Sequence, residues 1–115
     1  MEISAFDIQQ ARVKQVLFKS RLRSVLYGVR EPDAALFDFS QNPLAQWLLT
    51  VARPRFGTRP EVGALERAVQ QQLNTGHDLV RQYQRGQMEE ARGGLDKIDA
   101  AAAQIEQLLQ RLEKQ

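Results

Sequence analysis

The sequence has no cysteine and one histidine. Without a thiol there is no disulfide, no thiolate metal ligand, no thiol nucleophile and no redox switch. No run approaches the ~18 apolar residues that a membrane span needs. The opening MEISAFDIQQ carries acids and no apolar run, so it does not read as a signal peptide. Together these absences make the cytoplasm the expected compartment. Charge of one sign is also lacking. The net charge is only +2, although Arg keeps the isoelectric point near 9.3. That is weak support for nucleic acid as a partner.

What is present reads as helix. The 115 residues, 43% apolar and 26% charged, suit one domain spanning residues 1–115. The first helix is predicted from about Ser4 to Tyr27, with Gly28 as its stop. Ile8, Ala11, Gln15, Phe18, Leu22 and Val25 recur at alternating threes and fours, the spacing of a bundle seam. Gln15 is the polar intruder in that row. Arg12, Lys19 and Arg23 fall largely on the other side, and Leu17, Leu26 and Tyr27 widen the apolar face. The connection 28–41 is too apolar, at Leu36, Phe37 and Phe39, to hang free.

A short second helix follows, from Pro43 to about Arg53. Asn42 suits its N-cap, because a side-chain oxygen there accepts from a free N–H of the first turn. Pro43 at the first helical position gives up a donor that would be unpaired anyway. Leu44, Trp47, Leu48 and Val51 form its apolar stripe, and Pro54 and Gly57 are expected to end it. Trp47, the only Trp, is large enough to anchor a small core if its indole N–H finds an acceptor.

A third helix is expected to begin at a Thr58–Glu61 capping box. Val62, Leu65, Val69, Leu73, Gly76, Val80 and Tyr83 mark its inner face, and Gly86 its end. The fourth runs from about Gln87 to Arg111 or beyond. Met88, Ala91, Leu95, Ile98, Ala102, Ile105, Leu109 and Leu112 form its seam, with Gly93, Gly94 and Ala100–Ala103 keeping it thin. The pattern predicts an all-α four-helix bundle of three long helices and one short one. Residues 1–30 hold six Lys/Arg against two acids, and residues 86–115 four against six. The first and last helices therefore suit each other, within one chain or between two.

No catalytic constellation emerges. Nucleophilic catalysis needs a nucleophile beside a base, and His77 has no such neighbour in sequence. It reads as an edge residue of the third helix. Glu89, Glu90, Asp96 and Asp99 read as a solvated face, and no Glu-x-x-His pair supports a di-iron site. Arg12, Lys14, Lys19, Arg21, Arg23 and Arg30 offer a basic surface without interleaved aromatics, which argues against nucleic acid. An enzyme is the least expected reading, and no cofactor is expected.

Three stretches carry a family resemblance. KQVLFKSRLRSVLYG (14–28) resembles the first helix of the CZB domain, the chemoreceptor zinc-binding domain of bacterial signalling proteins. There a His precedes an apolar pair, a Lys and an aliphatic stretch ending near Gly. NPLAQWLL (42–49) resembles the family's Cys-x-Leu-Gly-x-Trp motif, with Leu44 and Trp47 in place and Ala45 where the Gly stands. The helix from Val69 through Gly86 to Ala91 resembles the family's His-x-x-x-His helix.

The family binds zinc through three His and one Cys. The matching positions here are Gln15, Asn42, Val69 and Leu73, which lack the chemistry of a zinc site. The resemblance therefore implies a lost site, with apolar packing and a Gln15–Asn42 polar remnant in place of the metal. It further implies a homodimeric regulatory module that acts in trans on a protein partner, such as a receptor or a diguanylate cyclase. Two alternatives remain at this point: a small-molecule sensor with a pocket near Gln15, Asn42, Trp47 and His77, or a nucleic-acid-binding bundle.

Overall fold

The computed structural model describes residues 5–114. Among these the chain is helical, with no strand. Helix α1 spans Ala5–Leu26; the expected start at Ser4 lies outside the described residues. Every residue of the predicted seam, Gln15 included, is buried. The helix stops at Gly28, whose φ of 75° is left-handed. The Gly28 N–H donates to Val25 (3.0 Å) and the Val29 N–H to Ser24 (2.9 Å), which satisfies carbonyls that the last turn leaves open. Leu17 and Tyr27 differ from expectation. They do not widen the packed face but stand about half exposed.

The connection does lie on the body. It holds one turn of helix, α2 (Ala34–Phe37), capped by the Asp33 side chain. Leu36 is buried, and Phe37 and Phe39 pack against the core. The Asp38 carboxylate accepts from the Ser40 hydroxyl and N–H, and these hydrogen bonds hold it below the usual carboxylate range.

Helix α3 (Pro43–Trp47) opens as predicted, with Pro43 in its first turn. It does not end before Pro54. A π-helical turn (Leu48–Ala52) carries it into α4 (Arg53–Phe56). Proline has no N–H, and its ring crowds the carbonyl four residues back. A π turn ahead of it widens the backbone, so the leg continues through Pro54.

Helix α5 spans Pro60–Gln84. The Thr58–Glu61 box does not form. A residue before proline is pushed out of the helical region, so Arg59 is extended (φ −77°, ψ 137°) and is itself the N-cap. Glu61 instead meets its own backbone N–H and forms an ion pair with Arg59 at 3.2 Å, contacts that keep its carboxyl below the ordinary range. At the far end Gly86 (φ 90°) closes the helix as Gly28 closes α1.

The predicted fourth helix is two, α6 (Met88–Gly93) and α7 (Leu95–Glu113). The break falls at Gly94, where a Cβ would collide with Leu79; a Cβ at Gly93 would meet nothing. Only one of the two glycines is therefore needed for packing. Met88, predicted inward, is exposed, whereas Ile98, Ile105, Leu108, Leu109 and Leu112 are buried.

Side-chain pairs fix the directions. Arg12 meets Glu106 and Glu113, and Lys19 meets Asp99, so α1 and α7 are antiparallel neighbours within the chain. Gln15 faces Gln72, and a Cβ on Gly76 would touch Phe18 and Leu22, so α5 runs with α1. Leu79 against Gly94, and Arg59 reaching the Arg111 carbonyl, set α7 antiparallel to α5. Arg55 pairs with Asp7 at 2.7 Å, which returns the α3–α4 leg to the start of α1. The resulting body measures 48 × 22 × 20 Å. Leu22, Leu44, Leu48, Leu65, Leu73, Ile98, Ile105 and Leu109 fill its axis. Each such side chain contributes about 1.5–3 kcal/mol by leaving water. Among the described residues no helix is long and apolar enough to cross a membrane.

Candidate functional site

Asn42 is 1% exposed and every polar atom it offers is engaged. Its Oδ1 accepts from the N–H of Leu44 (2.9 Å) and of Ala45 (3.2 Å). Its Nδ2 donates to the Leu36 carbonyl at 2.8 Å. One amide thus caps α3 and ties it to α2.

The Gln15–Asn42 remnant expected from the sequence does not exist. Gln15 pairs with Gln72 instead. Gln15 Nε2 donates to Gln72 Oε1 at 2.6 Å, and Gln72 Nε2 donates back to Gln15 Oε1 at 2.9 Å. Both residues are buried. A buried amide without partners costs on the order of 1–3 kcal/mol, so the reciprocal pair is what makes either residue tolerable there. Gln72 escapes a reading by periodicity because it sits in a run of three glutamines. Its spacing carries the signal: three residues after Val69 and four before Gly76, it falls on the inward face.

Val69 and Leu73 lie one either side of Gln72 on that face, both buried. Leu44, Ala45 and Trp47 are likewise core residues. The indole Nε1 of Trp47 is buried with no acceptor, so the condition set for Trp47 as an anchor is not met. His77 is exposed on α5, its ring 5.6 Å from that of Phe37. It is an edge residue, as its position predicts, and it does not join Gln15 or Asn42 in a polar cluster.

The residues present do not fit zinc. Zn²⁺ takes Cys sulfur, His nitrogen or carboxylate oxygen. The four matched positions supply two amides, already bound to protein, and two aliphatic side chains. Among the described residues no group of three His, Cys, Asp or Glu side chains is placed to hold a metal ion.

Gln15 also borders a groove of about 450 Å³ between α1 and α7, walled by Val16, Lys19, Ser20, Arg23 and Ala102. Neither Asn42 nor Trp47 belongs to it. Ion pairs join the same two helices. Lys19 meets Asp99, and Arg12 grips both Glu106 oxygens (2.9 and 3.1 Å) and reaches Glu113 (3.1 Å). The hydrogen bond to Glu106, with that to Glu113, raises the Arg12 pKa further. Two cations of the predicted basic surface are therefore bound to this chain's own acids. Comparison with family models, with curated proteins and with solved structures returned no match.

Proposed function

We propose that this chain is a zinc-independent, CZB-like four-helix bundle that serves as a signalling adaptor, binding and regulating a receptor or a diguanylate cyclase in trans. The observation that carries this reading is the Gln15–Gln72 pair. At the position where the resemblance places a metal ligand stands a closed hydrogen-bonded couple. The buried amides of Gln15, Gln72 and Asn42 are all bound to protein groups, so none of them is free to hold a substrate or a metal. That leaves the surface as the working part. The basic-surface alternative loses Arg12 and Lys19 to ion pairs with α7.

A small-molecule sensor remains as a second reading on one observation: the Trp47 Nε1 donor is buried and unpartnered. The satisfied amides of Gln15, Gln72 and Asn42 weigh against it.

Metal content and thermal melting of protein purified without a metal-affinity tag test the zinc-independence. The expected result is no zinc and a melting point unmoved by chelator or added Zn²⁺. Stoichiometric zinc, or a melting point that falls with chelator, returns the chain to the metal sensors, with His77 the first residue to replace. Adding the chain to purified receptors and cyclases, with output as readout, tests the adaptor role. No change in any output overturns it.

A further inference from the structure

The adaptor reading leaves open which surface meets the partner, and the outward side of α1 answers that. Phe6 (69% exposed), Val13 (58%), Val16 (67%) and Leu17 (45%) stand opposite the buried seam. Four large apolar side chains on one exposed helix face form a patch of the kind that marks an interaction site. Ser20 and Ser24 continue the stripe toward the C-terminal end of α1, where small side chains let a second backbone approach. From Phe6 to Ser24 the face is about 27 Å long at 1.5 Å per residue.

The charges beside it have one sign. Asp7 is the only acid within Ala5–Leu26, and it pairs with Arg55. Arg12 and Lys19 are held by acids of α7. Lys14, Arg21 and Arg23 have no acidic partner among the described residues. An apolar stripe edged by unpaired cations complements an apolar stripe edged by acids.

We propose that the outward face of α1 docks an amphipathic helix of a partner protein, one whose apolar stripe is bordered by Asp or Glu; this rests on the adaptor reading. A second copy of the same face would set Lys14 and Arg21 against like charges, which disfavours self-pairing. The groove of about 450 Å³ alongside, with Val16, Ser20 and Ala102 in its walls, takes a side chain that protrudes from a helix. A bilayer surface supplies no such knob.

The probe is a synthetic helical peptide about four heptads long, with Leu and Ala on one face and Glu at the margins, beside a twin with Lys for Glu. Fluorescence anisotropy reads binding. The Glu peptide is expected to bind at least about tenfold tighter than the Lys peptide, less so as salt rises. Val13→Glu with Leu17→Glu should weaken it by a further factor of about ten or more while melting stays unchanged. Lys14→Glu with Arg21→Glu should reverse the preference between the peptides.

Equal binding of both peptides, or binding indifferent to Val13→Glu/Leu17→Glu, overturns the proposal. So does binding of anionic phosphatidylserine vesicles in place of the peptide. Self-association that Val13→Glu/Leu17→Glu abolishes, seen by sedimentation, overturns it in favour of a second copy. If a cyclase or receptor responds equally to the wild type and to that variant, the surface is wrong while the adaptor reading stands. If the peptide binds as expected and no receptor or cyclase responds, the reverse holds.

Discussion

The two faces of α1 are similar in kind and opposite in fate. Inward, Ile8, Phe18, Leu22 and Val25 are buried beneath α5, α7 and the α3–α4 leg. Outward, Phe6, Val13, Val16 and Leu17 are left in water. Apolar content alone does not separate them. What separates them is a neighbouring element, and the chain supplies neighbours for only one side. Helix α7 shows the contrast. Its Ile98, Ile105, Leu109 and Leu112 are buried, and its other side is charged residues, Gln and Ala. A helix apolar on one side is complete once that side is covered. A helix apolar on both sides has room for one more partner.

The largest expected effect tests that contrast directly. Leu22→Ala opens a cavity in the filled axis and should cost about 2–5 kcal/mol in urea or thermal unfolding. Leu17→Ala, one and a half turns away on the outward side, should change stability by no more than about 0.5 kcal/mol. Comparable losses would mean that the outward face is packed in solution and is not a free surface.

The polar member of the inward face comes next. Gln72→Leu leaves the Gln15 amide buried without a partner, at about 1–3 kcal/mol. Gln15→Leu should cost about the same, and the double variant should recover most of either loss, because two apolar side chains satisfy each other. Additive losses in that cycle would mean the pair is not reciprocal.

A third effect of similar or smaller size separates the two glycines of the last leg. Gly94→Ala drives a Cβ into Leu79 and should cost about 1–3 kcal/mol. Gly93→Ala points into open space and should stabilise by up to about 1 kcal/mol.

The inward seam is legible because its threes and fours need no knowledge of the partner. All six residues from Ile8 to Val25 are where the spacing puts them. Gly28, Gly86 and the Asn42 cap are legible because each is a local event with a side-chain or backbone cause. The misses need information from elsewhere in the fold. Thr58 is a good cap by its own chemistry and loses to Pro60 two residues on. The π turn depends on Pro54 and on Leu48 and Ala52 both finding the core. Gln15 is recognisable as an intruder, but three successive glutamines hide its partner, and Asn42 draws attention while being fully occupied by its own turn. The outward stripe is the instructive miss. A search for one seam reads Leu17 and Tyr27 as an extension of it, although α1 carries two.

The smallest effect lies at the margin between the two faces. Lys19–Asp99 joins α1 to α7 with both side chains substantially exposed, 42% and 51%. In water such a pair gains little over its hydrated parts and pays the entropy of holding two flexible side chains. Asp99→Asn should therefore cost about 0–1 kcal/mol, and near 1 M salt, where screening acts within about 3 Å, the difference should vanish. Arg12 provides the internal control: it binds both Glu106 oxygens and Glu113 from a half-buried position. Arg12→Gln should accordingly cost more than Asp99→Asn and keep part of its cost in salt. If Asp99→Asn proves as costly as Gln72→Leu, charge at the margin rather than apolar burial fixes which side of α1 turns inward, and the outward stripe is exposed because the ion pairs hold it there.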